Sequence, residues 1–142
     1  MAVHNYDLKF KGFKLQGNES TFEHASGIYC VYSCVYNAER NTVVLKRLLY
    51  IGKAEDFNER HANHEHKPQW ESELRTGEML CYARAELDKT SLDICEAALI
   101  FHYRPVCNGT ADKNFHHDTT HIVMSGAVGL LNDEITVERT AP

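Results

Sequence analysis

The sequence predicts an α/β (α+β) domain with a central, mainly antiparallel three-stranded sheet, flanked by helices and extended by further strands near both ends. Residues 27–36 and 43–51 are rich in β-branched and aromatic side chains, and residues 37–41 between them have the composition of a turn. These segments predict a hairpin. Apolar and polar side chains alternate through much of residues 79–87, which predicts the third strand of the sheet.

Three segments have patterns typical of helices. Residues 54–66 are polar with an acidic first turn, and we expect Pro68 to end this helix. Residues 69–77 predict a second, short helix that stops at Gly77. The third begins at a capping box, Thr90 to Asp93, continues with an apolar stripe and ends before Pro105.

Additional strands are predicted on either side of a core that spans about residues 25–110. Period-two alternation predicts an N-terminal strand within residues 5–15, which Gly12 interrupts. Two short strands, 121–125 and 133–138, are predicted within a C-terminal extension, residues 115–142. With 142 residues and 43% hydrophobic content, we expect residues 1–142 to form one domain.

Composition favours a soluble, intracellular protein, which we expect to be cytoplasmic and to have no membrane partner. No apolar run approaches the length of a membrane span, and the first residues lack the apolar segment of a secretory signal. The five cysteines include no Cys-x-x-Cys pair, which predicts buried free thiols.

The net charge weighs against nucleic-acid binding. Fifteen basic and twenty acidic side chains give a formal charge of −5, whereas affinity for phosphates rests largely on Lys and Arg. A bound cation, protonation of some of the nine histidines or a local basic patch would compensate.

The histidines raise the alternative of a zinc site or of a metal-binding regulatory protein unrelated to nucleic acid. The sequence contains no cysteine pair at metal-ligand spacing and no His-Glu-x-x-His motif. The candidate ligands are His61, His64, His66, His116, His117 and His121.

Three residues on the predicted helices suggest phosphodiester chemistry. Arg60 and His64 are four residues apart and are expected to share a helix face, where a guanidinium could bind two phosphate oxygens and an imidazole could donate a proton. The alternative is a charged surface helix. Glu96 lies on or beside the apolar stripe, so it needs a cation, a donor or a raised pKa, unless it is half exposed near the helix start.

The hairpin carries two triplets, Gly27-Ile28-Tyr29 and Tyr50-Ile51-Gly52, which resemble the motif of the GIY-YIG nuclease superfamily. Lys53, Arg60, Glu96 and Asn108 follow in the family's order, and the resemblance covers about residues 25–110. It implies a GIY-YIG nuclease-like fold and a metal-dependent DNA endonuclease that hydrolyses phosphodiester bonds with one divalent cation, Mg²⁺ or Mn²⁺.

The resemblance also implies a role for each site residue. Glu96 would hold the metal, and Tyr29 or Tyr50 would activate water as general base while the other tyrosine holds the nucleophile or the phosphate. Arg60 would neutralise the phosphate, with Lys53 and His64 assisting, and Asn108 would orient the site. The alternative for Asn108 is a simple turn residue before Gly109. A free phenol has a pKa of about 10, so cationic neighbours would have to lower it.

The partner implied is DNA. No recognisable DNA-reading module follows the core in the sequence, so specificity would come from the domain itself, from a homodimer or from a separate partner. The main alternative is a catalytically silent nucleic-acid- or protein-binding module that keeps the fold. The acidic balance favours that module, whereas the presence of Tyr, Arg and Glu together favours the enzyme.

Overall fold

A computed structural model describes residues 2–109 and 113–140. Within these residues six strands form one curled, mixed sheet. The strands are β1 (Val3–Leu15), β2 (Gly27–Asn37), β3 (Thr42–Ala54), β4 (Met79–Glu86), β5 (Thr119–Gly126) and β6 (Glu134–Val137). Their order in the sheet is β3-β2-β4-β1-β5-β6. The β1–β5 pair is parallel, and the other neighbours are antiparallel.

The prediction of a three-stranded sheet flanked by helices is wrong. Strand β1 pairs with β4 on one side, where Phe10 lies opposite Ala85, and with β5 on the other, where Tyr6 lies opposite Ile122. The terminal strands therefore complete a single six-stranded sheet, and helix makes up only about 22% of the described chain. The interruption predicted at Gly12 takes the form of a shift in register against β4 between Lys11 and Lys14, and β1 continues to Leu15.

Helices α1 (Phe57–Ala62) and α2 (Lys67–Ser72) are shorter than predicted. Helix α1 begins after Asp56, whose carboxylate accepts a hydrogen bond from the backbone N–H of Glu59 at 3.0 Å, a normal N-cap. Pro68 does not end a helix but lies in the first turn of α2, where its missing N–H is tolerated.

Helix α3 (Leu92–Tyr103) follows a 3-10 turn at Lys89–Ser91. The predicted capping box does not form, because the Thr90 hydroxyl donates to the Asp88 carboxylate instead. The helix ends at Arg104, which adopts a left-handed conformation with φ of 46°.

The sheet separates two buried clusters. Side chains alternate along β2, so Ile28 and Cys30 point to the face covered by α3, while Tyr29 points to the face covered by α1 and α2. On the α3 side, Leu99 packs in the core with Ile122 of β5. On the other side the packed residues are Phe22, Tyr29, Val31, Leu49, Phe57, Trp70 and Tyr82.

The five cysteines are free and buried, and burial raises the pKa of Cys30 and of Cys95 to about 12. Thiols held in this protonated form are weak nucleophiles. Among the residues that the structure describes, no helix is long and apolar enough to cross a membrane.

Candidate active site

A cavity of about 690 Å³ opens where the end of β3 meets α1 and α3. Its walls include Tyr50 and Lys53 from β3, Arg60 from α1 and Glu96 from α3. Strand β3 is an edge strand of the sheet. Four of the seven site residues suggested by the sequence thus line one cavity, although they are up to 46 positions apart (96 − 50).

Gly27 and Gly52 permit close packing around this cavity. A Cβ on Gly52 would overlap the Tyr29 phenol and lie 2.8 Å from the Tyr50 ring. A Cβ on Gly27 would overlap the backbone carbonyl of Ala85 in β4. The glycine at each end of the pair of triplets therefore has a structural reason, and Gly52 lets the Tyr29 and Tyr50 rings stack with centroids 6.1 Å apart.

Tyr29 does not line the cavity but lies behind Tyr50, fully buried. Its hydroxyl oxygen is 2.6 Å from Nε2 of His64, and Nδ1 of His64 accepts a hydrogen bond from the backbone N–H of His66 at 3.1 Å. Burial and the nearby Arg60 lower the pKa of His64 to about 4, so the ring is neutral at physiological pH. With Nδ1 acting as acceptor, the one ring proton is assigned to Nε2, which donates it to Tyr29.

His64 reaches this position from a turn and not from a helix. Helix α1 ends at Ala62, so the prediction that Arg60 and His64 share a helix face is wrong. His61, on α1, is 4% exposed and stacks on Phe22 with centroids 4.2 Å apart. Burial, followed by the neighbouring His64, lowers the pKa of His61 to about 3.

The environment raises the pKa of both tyrosines. Burial is the main cause at Tyr29, followed by Tyr50, while Arg60 opposes the rise. Burial is also the main cause at Tyr50, followed by the carboxylate of Glu96. Neither phenol is therefore prepared as a phenolate by the protein alone, and Arg60 is the main protein cation that favours the charged form of each.

Two of the basic side chains that line the cavity, Arg60 and Lys53, are already paired. Arg60 donates from Nη1 and Nη2 to the two oxygens of Glu65 at 2.7 and 3.2 Å. That pairing raises the pKa of Arg60 and lowers the pKa of Glu65 to about 2. Lys53 donates to Asp93 and lies 3.9 Å from Glu96, and the Asp93 hydrogen bond raises the pKa of Lys53.

Glu96 is a partly buried carboxylate with a long ion pair to Lys53. Its side chain is 22% exposed, and burial raises its pKa despite the opposing charge of Lys53. Mg²⁺ is commonly held by one or two carboxylates while it keeps several waters and binds substrate phosphate. One carboxylate that is partly desolvated and faces a roomy polar cavity fits this kind of site.

A cage built entirely from protein ligands is not present in residues 2–109 and 113–140, where no group of three or more His, Cys, Asp and Glu side chains could hold a metal ion. His116, His117 and His121 follow α3, whereas His61, His64 and His66 lie in and after α1. Two of these histidines have hydrogen-bond partners in the protein: His64 is paired with Tyr29, and His121 is paired with Glu134 at 2.9 Å.

Asn108 lies outside the cavity lining and completes the edge of the sheet. Its side-chain amide donates to the carbonyl of Ile51 at 2.8 Å and accepts from the N–H of Ile51 at 3.0 Å. Together with the hydrogen bond from the N–H of Cys107 to the carbonyl of Leu49, these bonds satisfy the outer edge of β3 beside the site. Asn108 therefore supports the strand that carries Tyr50 and Lys53.

The sequence did not indicate the acidic character of the cavity. Its lining holds three basic side chains, Lys53, Arg60 and Lys89, and five carboxylates, Glu55, Asp56, Glu59, Asp93 and Glu96. Asp93 and Glu96 are three residues apart on one predicted helix, so they share a face, and this spacing could have predicted part of the acidic character. The pairing of Arg60 with Glu65 across a turn had no such signal.

Comparison with known proteins gives no match for this chain among family models, curated proteins or solved structures. The function of the site is therefore inferred from the geometry of the cavity, from the two triplets and from the site residues that follow them in the sequence.

Proposed function

We propose that this chain is a GIY-YIG-type endonuclease that hydrolyses DNA phosphodiester bonds with one divalent cation, Mg²⁺ or Mn²⁺. One observation carries the proposal: Tyr50, Lys53, Arg60 and Glu96 line a single cavity, with Tyr29 directly behind Tyr50. A purely structural role for these residues would not require the phenol, guanidinium and carboxylate to converge.

Arg60 and Lys53 bind the scissile phosphate in this account. The Arg60 guanidinium can hold two phosphate oxygens in a fork, but in the free protein Glu65 occupies that fork. Substrate binding therefore requires the phosphate to replace Glu65 at Arg60. The carboxylate it replaces is 61% exposed, so it can return to water at little cost.

The two tyrosines activate and hold the attacking water in this mechanism. Tyr50 faces the cavity and is the phenol that can contact water or phosphate directly, while Tyr29 supports it from the buried side. Because His64 donates to the Tyr29 oxygen, the Tyr29 hydroxyl proton is free to point elsewhere, and any negative charge that develops on that oxygen is stabilised. His64 is thus a positioning residue that acts through Tyr29.

Glu96 is the residue that would hold the metal. When bound, Mg²⁺ or Mn²⁺ would supply Lewis-acid stabilisation of the charge that develops on the phosphate and the leaving oxygen. Glu96 fits this role because its carboxylate is partly desolvated and lies 3.9 Å from Lys53, with Arg60 as a further cation near it.

A second candidate function is a catalytically silent binding module with the same fold. The observation that favours it is the occupation of two of the three basic side chains of the cavity by carboxylates, Arg60 by Glu65 and Lys53 by Asp93. In such a module these ion pairs would persist, and the acidic cavity would bind a cationic partner instead of phosphate.

The partner we propose is DNA, and we propose a cytoplasmic location. Five free, buried thiols agree with a reducing compartment.

The proposal is tested by incubating the protein with supercoiled plasmid and with branched DNA in Mg²⁺ or Mn²⁺. We expect nicking with either metal and none in chelator. Arg60→Ala should weaken DNA binding and reduce cleavage by about 10²-fold, because it removes a charge-assisted contact to the reacting phosphate.

The control for this substitution is Arg75→Ala. Arg75 is an exposed arginine in the loop before β4 and lies outside the cavity lining, so its loss should leave cleavage unchanged. Equal activity of the two variants, or no metal-dependent nicking by the wild type, would contradict the proposal.

A further inference from the structure

A second cavity lies directly beside the candidate active site. It has a volume of about 250 Å³ and shares Glu96 with the larger cavity. Helix α3 contributes to both: Asp93 lines the larger cavity, while Ala97 and Ile100, about one and two turns further along, line the smaller one. Glu96 therefore stands between two adjoining spaces.

Aliphatic and phenyl side chains form half of the lining of the smaller cavity, and Glu96, Asn114, His116 and His117 form the other half. The rings of Phe101 and Phe115 have centroids 6.0 Å apart, and those of Phe115 and His117 are 5.4 Å apart. The Arg104 guanidinium lies 4.7 Å from the centroid of the Phe101 ring. Phe115 is 2% exposed, so the half-buried rings of Phe101 and His117 offer the surface on which an unpaired base can stack.

The size of this space suits one base. Sites for drug-sized ligands begin at about 300 Å³, and this cavity is slightly smaller. A single planar heterocycle is therefore a better match than a dinucleotide. The shared Glu96 puts such a base next to any phosphate held by Arg60 and Lys53 in the larger cavity.

The charge of the protein also favours stacking as a source of affinity. Five carboxylates and three basic side chains line the larger cavity, and the whole chain carries a formal charge of −5. A protein with this balance gains little from the release of counterions by DNA. Stacking of a base on aromatic side chains does not depend on the net charge of the protein.

We propose that the smaller cavity binds one unstacked nucleobase next to the scissile phosphate, so that the preferred substrate is DNA with an unpaired nucleotide at the cleavage point. This inference rests on the proposed nuclease function and deepens it. A bulge, flap or branch presents such a base ready to bind, whereas a continuous duplex would first have to unstack one.

The test measures binding in chelator with fluorescently labelled duplexes of one sequence. One duplex is continuous, one carries a single-nucleotide bulge, and one carries the same bulge with an abasic residue. We expect the wild type to bind the base-containing bulge at least about tenfold more tightly than the abasic bulge.

A pair of variants tests whether the cavity causes this preference. Ala97→Met places a larger side chain in the cavity and should bind the two bulges equally. His102→Met introduces the same side chain at an exposed position of α3 outside the cavity lining, and it should keep the preference. Thermal unfolding of both variants checks that each is folded.

Methyl NMR of the wild type gives the location without any substitution. The base-containing bulge should shift the Ile100 methyl signals, and the abasic bulge should not. Equal wild-type affinity for the two bulges, or unchanged Ile100 signals on binding the base-containing bulge, would overturn the inference.

Base binding by the smaller cavity and nuclease activity can be disproved separately. Metal-dependent plasmid nicking by a protein with no preference between the bulges would remove the role of the smaller cavity and leave the nuclease standing. A base preference that Ala97→Met abolishes, in a protein that does not cleave, would support the cavity and contradict the nuclease.

Discussion

At the scale of single residues, the Tyr29–His64 hydrogen bond is the most specific feature of the site. The backbone N–H of His66 fixes the ring so that Nε2 is a donor toward Tyr29. This assignment makes His64 a stabiliser of the phenol oxygen and not a base that removes its proton.

The role of His64 can be tested by comparing His64→Gln with His64→Ala. Glutamine can still donate to Tyr29, so single-turnover cleavage should stay within about tenfold of the wild type, equivalent to about 1.4 kcal/mol. Alanine leaves the buried Tyr29 oxygen without its donor and should lower the rate by about 10²-fold. The pH dependence of the cleavage rate gives a second test. If His64 donates to the Tyr29 oxygen, its loss makes the phenol harder to ionise, so the part of the pH–rate profile that depends on tyrosine ionisation should move to higher pH. Equal rates for Gln and Ala would contradict donation by His64.

Sequence patterns could identify four of the twelve residues that line the cavity, but not their environment. Tyr50, Lys53, Arg60 and Glu96 followed from the triplets and their order along the chain. The burial of His61 did not, because its contact with Phe22 is distant in sequence, and the position of His64 did not, because it depends on α1 ending at Ala62. The Glu65 contact to Arg60 is created by a turn that has no periodic signature.

At the scale of secondary-structure elements, the hairpin of β2 and β3 could be predicted because its information is local. The residues that pair are close in sequence, and the turn between them has a recognisable composition. The partners of β1 are distant, since Phe10 pairs with Ala85 and Tyr6 with Ile122. Alternation shows that a segment is a strand but not which strand lies beside it, which is why the six-stranded sheet was not predicted.

The two glycines give a prediction at this scale. Gly27→Ala should lower the free energy of unfolding by about 1–3 kcal/mol or more, because the new Cβ meets backbone of β4 that cannot move without breaking the sheet. Gly52→Ala meets the rings of Tyr29 and Tyr50 and should cost less stability while displacing the tyrosines. Urea unfolding and cleavage assays on both variants check this, and a greater loss of stability for Gly52→Ala would contradict it.

At the scale of the whole molecule, the C-terminal strands belong to the main core. Ile122 of β5 and Ile135 of β6 are buried in the cluster that also contains Leu99 of α3. The motif-bearing part of the chain is therefore not an independent unit with optional additions, because its sheet is completed on the far side by β1, β5 and β6.

Adjacent residues of β5 test this integration. Ile122 is fully buried, and its replacement by alanine should lower the free energy of unfolding by about 2–5 kcal/mol. Val123 is 38% exposed on the opposite face, so Val123→Ala should cost less than about 1 kcal/mol. The comparison is made by urea unfolding. Similar small losses for the two variants would mean that β5 is not part of the cooperative core.

The proposed metal-dependent cleavage depends on Glu96 acting as a metal-binding carboxylate and not as a structural one. Burial raises its folded-state pKa, so the protonated form is the better accommodated one. Stability from this group is fully present below the unfolded pKa of about 4.3 and is lost as the pH rises through the folded pKa. At pH 7, Glu96→Gln should therefore be at least as stable as the wild type, and the two should converge in acid.

The most direct measurement is the single-turnover cleavage rate of Glu96→Gln in Mg²⁺, made alongside its thermal midpoint and its DNA affinity in chelator. Glu39→Gln, in the exposed hairpin turn, is the matched control and should behave like the wild type. We predict that Glu96→Gln cleaves at least about 100-fold more slowly while its thermal midpoint and DNA binding are maintained or improved. Cleavage at the wild-type rate, or a loss of stability with no specific loss of cleavage, would contradict the account.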